Sequence, residues 1–226
     1  MKTSFLVFRH QVVENPEDIF YGVSRDLPIS EEGKAKARES GRHLAEVGVY
    51  PSVFVVSNLT RAQQTALEIQ QGTGKNIPIK VDGKLIDVSY PDFEGRSVDE
   101  KGFITLEDGI SISLDQMDEY SAETPGEAGT RFAEELKVIA KSYEGEIVCI
   151  VSHGDPIAWG LELLRNGEKA DFAMQGLMDK GAYPAKGDLA VFRLDENGSL
   201  YGNITFKPEY NEIPTLLELP RSNIER

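Results

Sequence analysis

The sequence predicts a three-layer α/β/α sandwich with a mostly parallel central sheet, and two features of the chain support this fold class. Short uninterrupted apolar runs occur at 4–9, 53–57 and 147–152, as is typical of strands that are buried on both faces. Amphipathic segments of helical length lie between them, and a chain that alternates strands with helices forms a sheet covered by helices. With 226 residues, of which 40% are hydrophobic, we expect one domain over residues 1–226.

The first predicted strand and the first predicted helix are separated by an unusually long loop. The run at 4–9 ends on Arg9, and residues 10–29 then show no apolar periodicity. Loops of that length in compact domains are usually functional. Ser30 is the expected N-cap of the helix, because two glutamates follow it where the helix dipole favours them. We expect this helix to run to about Val47.

A second strand and helix follow the same pattern. Residues 53–57 predict a buried strand, and Thr60 is the expected N-cap of the helix behind it. Gly72 and Gly74 are expected to end that helix, since glycine adopts the backbone conformation that C-terminal caps need. A short run at 77–81 predicts one more strand.

The stretch at about 88–124 interrupts this alternation and predicts an inserted lid. It contains several glycines and acidic residues and lacks apolar periodicity. It ends at Thr124, which with Pro125 and Glu127 forms the pattern of a capping box at the start of another helix. This capping role accounts for Glu127 without a catalytic one.

After the lid, the chain returns to strand and helix. The buried strand at 147–152 is followed by a helix that begins at Asp155-Pro156. We interpret Trp159 and Phe172 as core residues or as part of a pocket wall.

The C-terminal part of the chain predicts a β-hairpin and a tail. Runs at 188–194 and 199–206 alternate around Asn197-Gly198, which is a strong hairpin signal. We expect the polar tail at about 207–226 to wrap over the surface. The edge of the hairpin is where a second copy could pair to form a homodimer.

Composition excludes several classes of function. A net charge of −14 argues against nucleic acid or an anionic membrane as a partner, although local arginines can still bind a phosphate. The single cysteine, Cys149, lies in a strand run and is interpreted as a small buried residue. No segment approaches membrane-spanning length and the N-terminal apolar run is too short for a signal peptide, so we expect the cytoplasm. The motifs of metal and nucleotide sites are missing, so we expect neither metal nor cofactor.

Two of the three histidines lie where predicted strands end. One belongs to the pair Arg9-His10, and the other, His153, follows the strand at 147–152. In open α/β sheets the site lies outside the carboxyl ends of the strands, so both imidazoles are expected there. Arg61 begins the second helix, where free backbone N–H groups favour an anion. The third histidine, His43, lies among polar neighbours and is interpreted as a surface residue.

The order of these motifs resembles that of the histidine phosphatase superfamily, the phosphoglycerate-mutase-like proteins, over roughly residues 4–195. The pattern S-x-x-x-R-A-x-x-T-A followed by a late S-H-G is the specific part of the resemblance, whereas the Arg-His pair alone is common. The matching segments are 9–10, 26–33, 57–66, 85–87, 93–95, 126–127 and 152–154.

The resemblance implies a role for each of four residues. His10 would be the nucleophile that takes the phosphoryl group, because neutral imidazole is available near pH 7. Arg9 and Arg61 would bind the phosphoryl oxygens and offset the charge of the transition state. His153 would lie opposite His10 as a further donor to those oxygens. These four groups fit a dianionic phosphate without a metal.

The position of the general acid is one of those at which the chain departs from the family in residue type. Where the family usually has a glutamate, this sequence has Asp87, which is one methylene shorter. Its pKa must be raised by its surroundings if it is to hold a proton near neutrality. Asp92 and Glu94 are the alternatives for this role.

Three further residues are expected to contact the substrate. Gln11 stands where the family usually has a glycine, and its amide could contact the substrate or obstruct it. Asn15 is the candidate for a phosphate-binding asparagine, although it is one residue closer to His10 than in the commonest family pattern. Gly154, which ends the Ser-His-Gly motif, completes the expected binding residues.

The charge of the lid favours a phosphatase over a mutase. Between Gly102 and Thr130 there is no lysine or arginine, and such a lid would repel a substrate with several negative charges. We therefore expect hydrolysis of a small phosphorylated metabolite whose organic group is neutral or cationic. Phosphoglycerate mutase-type transfer and non-catalytic binding of a phosphorylated ligand are the alternatives. The acidic residues of this stretch are Glu107, Asp108, Asp115, Asp118, Glu119, Glu123 and Glu127.

Overall fold

The computed structural model describes residues 1–24, 26–99, 103–106, 109–113 and 120–219, and these form the predicted three-layer α/β/α sandwich. Part of the predicted acidic lid lies outside the described residues, namely Glu107, Asp108, Asp115, Asp118 and Glu119. The end of the predicted tail, 220–226, lies outside them as well.

The described residues form eight strands and six α-helices. The strands are β1 (Thr3–Arg9), β2 (Val53–Val56), β3 (Ile79–Val81), β4 (Phe103–Thr105), β5 (Ser111–Ser113), β6 (Ile147–Ser152), β7 (Leu189–Leu194) and β8 (Leu200–Phe206). The helices are α1 (Glu31–Glu46), α2 (Thr60–Thr73), α3 (Pro125–Ser142), α4 (Gly154–Asn166), α5 (Met174–Asp179) and α6 (Ile213–Leu216). None of these helices combines the length and the apolar character that crossing a membrane requires.

Six strands form the central sheet in the order β3-β2-β6-β1-β7-β8, and β4 pairs with β5 in a separate two-stranded sheet. The strands β3, β2, β6 and β1 are parallel, whereas β7 and β8 are antiparallel additions at one side. Because β1 and β6 are parallel neighbours, their carboxyl ends lie side by side, with Arg9 opposite Ser152. The sheet thus brings the ends of the two histidine-bearing strands together.

Alternation of side chains along β1 makes the sheet the middle layer. Phe5 and Val7 pack in the apolar cluster that contains the inner faces of α3 and α4. Leu6 and Phe8 point the other way and pack with α1 and α2. All four side chains are buried, and each such burial contributes roughly 1.5–3 kcal/mol. Because both faces of β1 are buried, apolar side chains are required at consecutive positions of this strand.

The two helices on one face begin in different ways. Ser30 caps α1 as predicted, since its hydroxyl accepts a hydrogen bond from the amide of Gly33. The prediction that Thr60 is the N-cap of α2 is wrong, because Leu59 holds that position and Thr60 is the first helical residue. The Asp26 carboxylate accepts hydrogen bonds from the amide and the hydroxyl of Thr60 instead. A loop residue distant in sequence therefore supplies the cap.

The prediction that Gly72 helps to end α2 is also wrong. The helix continues through this residue and ends at Gly74, whose φ of 67° is the left-handed conformation. A Cβ at Gly72 would lie 2.1 Å from the carbonyl oxygen of Arg38 in α1. The glycine is therefore required for close packing of α1 against α2, a reason that a local pattern does not reveal.

The predicted capping box is present at the start of α3. The Thr124 hydroxyl accepts a hydrogen bond from the Glu127 amide, and the Glu127 carboxylate accepts one from the Thr124 amide. These hydrogen bonds lower the pKa of Glu127. The capping role predicted for Glu127 is thus confirmed.

The segment before α3 forms its own apolar cluster against α3 and α4. Trp159 of α4 is fully buried in this cluster and donates a hydrogen bond to the carbonyl oxygen of Phe172, which is partly buried there. The interpretation of Trp159 as a core residue is confirmed. The cluster also contains Val88, Tyr90, Phe93, Ile104 and Ile112.

The C-terminal hairpin is present, but the tail behind it is more than a surface wrap. Ile213 and Leu217 are buried in the apolar cluster beside α1 and α2. The ring of Tyr210 lies 4.8 Å from that of His43, which is half-buried. The tail therefore lies over α1 and α2, where buried apolar side chains hold it, and the partly exposed His43 packs against it.

Candidate active site

The two histidines at the strand ends face each other in a buried position. The ring centroids of His10 and His153 are 5.2 Å apart, and both side chains are almost completely buried. The His10 amide donates a hydrogen bond to the carbonyl oxygen of Ser152, which fixes the end of β1 against the end of β6. Parallel pairing of two strands therefore creates the pair of imidazoles.

The surroundings of His10 select its protonation state and its tautomer. Its Nδ1 atom lies 2.7 Å from the carbonyl oxygen of Gln11, which can only accept a hydrogen bond, so Nδ1 carries the proton. Burial lowers the pKa of His10 well below its ordinary value, and the neighbouring His153, Arg61 and Arg9 lower it further. The neutral ring then has a free lone pair on Nε2, as a nucleophile requires.

Arg61 is completely buried and keeps two of its donor atoms free. Its Nη2 atom donates to the carbonyl oxygen of Gly22 at 2.7 Å and to the Asp87 carboxylate at 3.0 Å. The Nε and Nη1 atoms have no hydrogen-bond partner among the described residues. A buried guanidinium with unpaired N–H groups is costly unless an anion binds it.

Arg9 is a second arginine with an unpaired donor atom. Its Nη1 atom donates to the carbonyl oxygen of Pro184, and its guanidinium lies over the ring of Tyr183 with 5.3 Å between Cζ and the ring centroid. The buried Nε atom has no hydrogen-bond partner within the described part of the chain. The two arginines together offer three unpaired N–H positions, which suit the oxygens of a phosphoryl group.

Asp87 lies between Arg61 and His153. Its Oδ2 atom is 3.0 Å from Nη2 of Arg61 and 3.4 Å from Nδ1 of His153. Burial raises the pKa of Asp87, while Arg61 and Arg9 oppose the rise without cancelling it. A raised pKa is what a carboxyl group needs in order to donate a proton near neutrality.

The two alternative acids are placed differently. Asp92 is exposed and does not line the cavity. Glu94 accepts hydrogen bonds from the amides of Val23, Ser24 and Tyr90. Partial burial pushes its pKa upward, but these hydrogen bonds outweigh burial and the pKa is lowered. Of the three carboxyl groups, Asp87 has the environment that favours a bound proton.

His153 is held by Ser57, the residue that follows β2. Its Nε2 atom lies 2.8 Å from the hydroxyl of Ser57, and its Nδ1 atom faces Asp87. Burial lowers the pKa of His153 well below its ordinary value, and the charges of Arg61 and Arg9 lower it further. The ring is therefore neutral and has a fixed orientation across from His10.

The three predicted substrate-binding residues are not equivalent. Gly154 lines the cavity, and a Cβ there would lie 2.4 Å from the Tyr183 hydroxyl and 2.9 Å from Cζ of Arg9. Asn15 lines the cavity too, but its side chain is hydrogen-bonded to the backbone of Ile19. Gln11 is buried with its amide against Gly187 and is outside the cavity lining. It therefore neither reaches the cavity nor obstructs it in this conformation.

A cavity of about 280 Å³ opens in front of His10. The long loop between β1 and α1 forms one wall, and the segments after Asp87 and His153 form the others. Its lining is Arg9, His10, Asn15, Asp18, Ile19, Phe20, Tyr21, Gly22, Asp87, Val88, Tyr90, Val98, Gly154, Asp155, Tyr183 and Lys186.

Sequence reasoning missed several of these residues. Asp155 was interpreted only as a helix start, although its position directly after the Ser-His-Gly motif was a signal that it lies at the site. Tyr90 and Tyr183 carry no local motif, and they reach the cavity because their hydroxyls donate to the Asp155 carboxylate.

The chain is similar in sequence to proteins of one superfamily. A sequence model of the histidine phosphatase superfamily (branch 1) matches residues 5–181. A 2,3-bisphosphoglycerate-dependent phosphoglycerate mutase from Methylobacterium sp. (strain 4-46) is 28% identical over 166 residues. The match covers 70% of this chain and 78% of that protein.

Solved structures share the fold over almost the whole chain. Bacillus stearothermophilus YhfR superposes with a TM-score of 0.68 and 22% identity, covering 93% of this chain and 100% of that one. A phosphoserine phosphatase from Entamoeba histolytica, in complex with 3-phosphoglyceric acid, has a TM-score of 0.65 and 17% identity. That match covers 92% of this chain and 99% of the other. At these identities the similarity shows the fold alone.

Proposed function

Because the chain belongs to the histidine phosphatase superfamily, we propose that it is a metal-independent phosphatase that hydrolyses a small phosphomonoester through a phosphohistidine at His10. The observation that carries this proposal is a neutral His10 within the electrostatic reach of two guanidinium groups. Nε2 of His10 is free to attack, and the nearby Arg9 and Arg61 keep buried N–H donors without partners among the described residues. Nucleophile and charge stabilisation are therefore both supplied by side chains.

In the first step, Nε2 of His10 attacks phosphorus, the N–P bond forms and the ester P–O bond breaks. The leaving oxygen takes a proton from Asp87, so the alcohol departs neutral and Asp87 becomes a carboxylate. Arg9 lines the cavity, whereas Arg61 and His153 are fully buried outside its lining and contact Asp87, which does line it. In the proposed step these three residues hold the phosphoryl oxygens while charge builds up on them. The hydrogen bond that Nδ1–H of His10 donates to the Gln11 carbonyl oxygen stabilises the positive imidazole of the phosphohistidine.

In the second step, water attacks phosphorus and the N–P bond breaks. The Asp87 carboxylate accepts a proton from that water, and the electron pair of the N–P bond returns to Nε2 of His10. Phosphate leaves, and both residues are restored to their starting protonation states. The same carboxyl group thus acts as acid and then as base.

The charges of the cavity support hydrolysis over mutase-type transfer. Apart from Arg9, the described lining contains one cation, Lys186, together with the three carboxyl groups of Asp18, Asp87 and Asp155. A mutase has to bind two acidic groups of its substrate, and these carboxyl groups oppose the second one. A monophosphate leaves the remaining cavity free for an uncharged or positively charged organic group.

The test is steady-state hydrolysis of para-nitrophenyl phosphate from pH 5 to 8 with EDTA present. We expect turnover that EDTA does not change and that His10→Ala lowers by at least about a thousandfold. His43→Ala is the matched control, because it removes an imidazole that packs against Tyr210 outside the cavity. Full activity in His10→Ala would overturn the proposal.

Phosphoglycerate mutase activity is the second candidate, because the Methylobacterium relative described above carries that name. It is tested by incubating the protein with 3-phosphoglycerate and 2,3-bisphosphoglycerate and measuring 2-phosphoglycerate. We expect no 2-phosphoglycerate and at most slow release of inorganic phosphate, because the cavity carboxyl groups oppose the second acidic group. Formation of 2-phosphoglycerate faster than phosphate release would favour the mutase.

A further inference from the structure

Asp155 is a carboxylate of the cavity wall whose direct partners are two phenol hydroxyls. Asp155 accepts a hydrogen bond from the Tyr90 hydroxyl at 2.7 Å and one from the Tyr183 hydroxyl at 2.8 Å. It forms no ion pair with any described lysine, arginine or histidine, although most charged side chains that leave water are paired with an opposite charge. The proposed reaction does not use this carboxylate.

The protein stabilises the Asp155 charge only in part. Asp155 lies in the first turn of α4, where the helix dipole favours an anion, and two phenols donate to it. Burial nevertheless raises its pKa, and the nearby Asp87 raises it further against the effect of the phenols and of Arg9. A cation placed next to Asp155 would remove this remaining cost.

The walls around Asp155 suit such a cation. Phe20, Tyr21, Tyr90 and Tyr183 all line the same cavity. The rings of Phe20 and Tyr90 meet at 88° with centroids 5.5 Å apart, so two differently oriented aromatic surfaces border the space. Ammonium groups bind to the faces of aromatic rings, and a carboxylate beside them adds direct charge pairing.

Lys186 does not occupy this position. It is exposed, and the amide of the next residue, Gly187, donates to the carbonyl oxygens of Arg9 and His10. Its ammonium lies 5.5 Å from the centroid of the Tyr21 ring. This lysine therefore lies at the phosphoryl end of the cavity, which Arg9 and His10 form, and it does not pair with Asp155.

We propose that Asp155 binds an ammonium group on the organic part of the substrate, so that the preferred substrates are phosphomonoesters of amino alcohols. This inference rests on the proposed function, because it assigns the phosphoryl group to Arg9, His10 and Arg61. Tyr183 links the phosphoryl end of the cavity to Asp155, since its ring lies under the Arg9 guanidinium and its hydroxyl donates to the Asp155 carboxylate. A short spacer between phosphate and ammonium is therefore required.

The test compares 2-aminoethyl phosphate with propyl phosphate, which has the same size and no ammonium. We expect kcat/KM of the wild type to be about tenfold or more higher for the aminoethyl ester. In Asp155→Asn this ratio falls to about one, because the amide removes the charge with little change in shape. Equal kcat/KM for the two esters in the wild type would overturn the inference.

Two further variants separate recognition from a structural role. Tyr90→Phe removes a hydrogen bond but keeps the carboxylate, so the preference for the aminoethyl ester should survive at lower overall activity. Asp92→Asn removes an equal charge outside the cavity and should keep the ratio as well. If Asp155→Asn lowers the activity with both esters equally, Asp155 is only structural and the inference is wrong.

Binding measurements keep this test independent of turnover. The affinities of both esters for His10→Ala are measured by calorimetry, where no hydrolysis is expected. Tighter binding of the aminoethyl ester supports the ammonium site whether or not the wild type hydrolyses either ester. Absence of hydrolysis together with this tighter binding would refute only the phosphatase proposal. Turnover that depends on His10, together with equal affinities, would refute only the ammonium site.

Discussion

The two ends of the cavity differ in how their charges are balanced. At the proposed phosphoryl end, Arg61 is buried and Arg9 is half-buried, and both keep buried N–H donors without partners in the described structure. At the other end, Asp155 has both oxygens hydrogen-bonded by phenols and forms no ion pair with a described cation, although the charge of Arg9 reaches it. Donors without an acceptor thus lie at one end, and a carboxylate without an ion pair lies at the other.

The difference in charge between the two ends indicates what kind of ligand would bind in the cavity. Unpaired buried donors and an uncompensated carboxylate each cost free energy, and a ligand with a phosphate and an ammonium group would remove both costs.

Removing the Arg61 guanidinium should cause the largest loss after removal of His10. We expect Arg61→Ala to lower kcat/KM by roughly 100- to 1000-fold, because the phosphoryl oxygens lose buried charged donors. The affinity for vanadate, measured by inhibition, should fall with it.

The matched control for Arg61 is Arg38→Ala. Arg38 is an exposed arginine of α1 that pairs with Glu68, away from the cavity. Its removal should change kcat/KM by less than about twofold. Equal losses in both variants would mean that Arg61 acts through stability and not through the phosphoryl group.

Replacing Asp87 should affect esters according to their leaving groups. We expect Asp87→Asn to lower kcat for an alkyl phosphate by about 100-fold and to affect para-nitrophenyl phosphate much less, because nitrophenolate leaves without a proton. Asp92→Asn, on the same loop, should show no such discrimination. A similar loss for both esters in Asp87→Asn would contradict the acid role.

The pH profile gives an independent test of Asp87. Burial raises its pKa, and the acid role needs the protonated form. Hydrolysis of an alkyl phosphate should therefore decline as the pH rises through this pKa, and the decline should be absent in Asp87→Asn. A wild-type profile that keeps rising through neutral pH would assign the proton to another group.

A methyl group at Gly154 should disturb both ends of the cavity together. Its Cβ would overlap the Tyr183 hydroxyl and approach Cζ of Arg9, so we expect Gly154→Ala to lower kcat/KM by about tenfold. Gly176→Ala in α5 is the control, because its Cβ would meet the nearest atom, of Asp171, at an ordinary 3.5 Å. If Gly154→Ala were as active as Gly176→Ala, the position of the Tyr183 hydroxyl would not matter for kcat/KM.

The smallest expected effect is on stability. Burial and neighbouring charges hold the pKa of His10 well below its ordinary value of 6.5, so below pH 6.5 the unfolded chain binds a proton that the folded protein excludes. The folded state should lose up to about 1.4 kcal/mol per pH unit there. His10→Gln should lose less stability between pH 7.5 and 5.5 than the wild type, as measured by urea denaturation. Identical losses would contradict a buried neutral imidazole.

Sequence reasoning identified the phosphoryl end because its residues are tied to local patterns. Arg9, His10 and His153 follow apolar strand runs, and Arg61 begins a helix, so their positions follow from strand and helix assignment together with the parallel sheet. The order of the motifs indicated Asp87 as the candidate for the general acid. Its raised pKa comes from burial, which the sequence does not show.

The other end of the cavity could not be predicted in the same way. Tyr90, Asp155 and Tyr183 come from three separate segments that tertiary packing brings together, and no spacing along the chain connects them. The same reason explains two local errors. Thr60 is capped by the distant Asp26, and Gly72 is required by a neighbouring helix rather than by a helix end.

The most direct test of the central claim is to trap the phosphorylated enzyme. The protein is mixed with a labelled phosphomonoester, quenched during turnover and digested under conditions that preserve phosphohistidine, and the labelled peptide is sequenced by mass spectrometry. We predict label on His10 in the wild type and in His43→Ala, and none in His10→Ala. Steady turnover with no labelled residue, or label on a different residue, would contradict a phosphohistidine at His10.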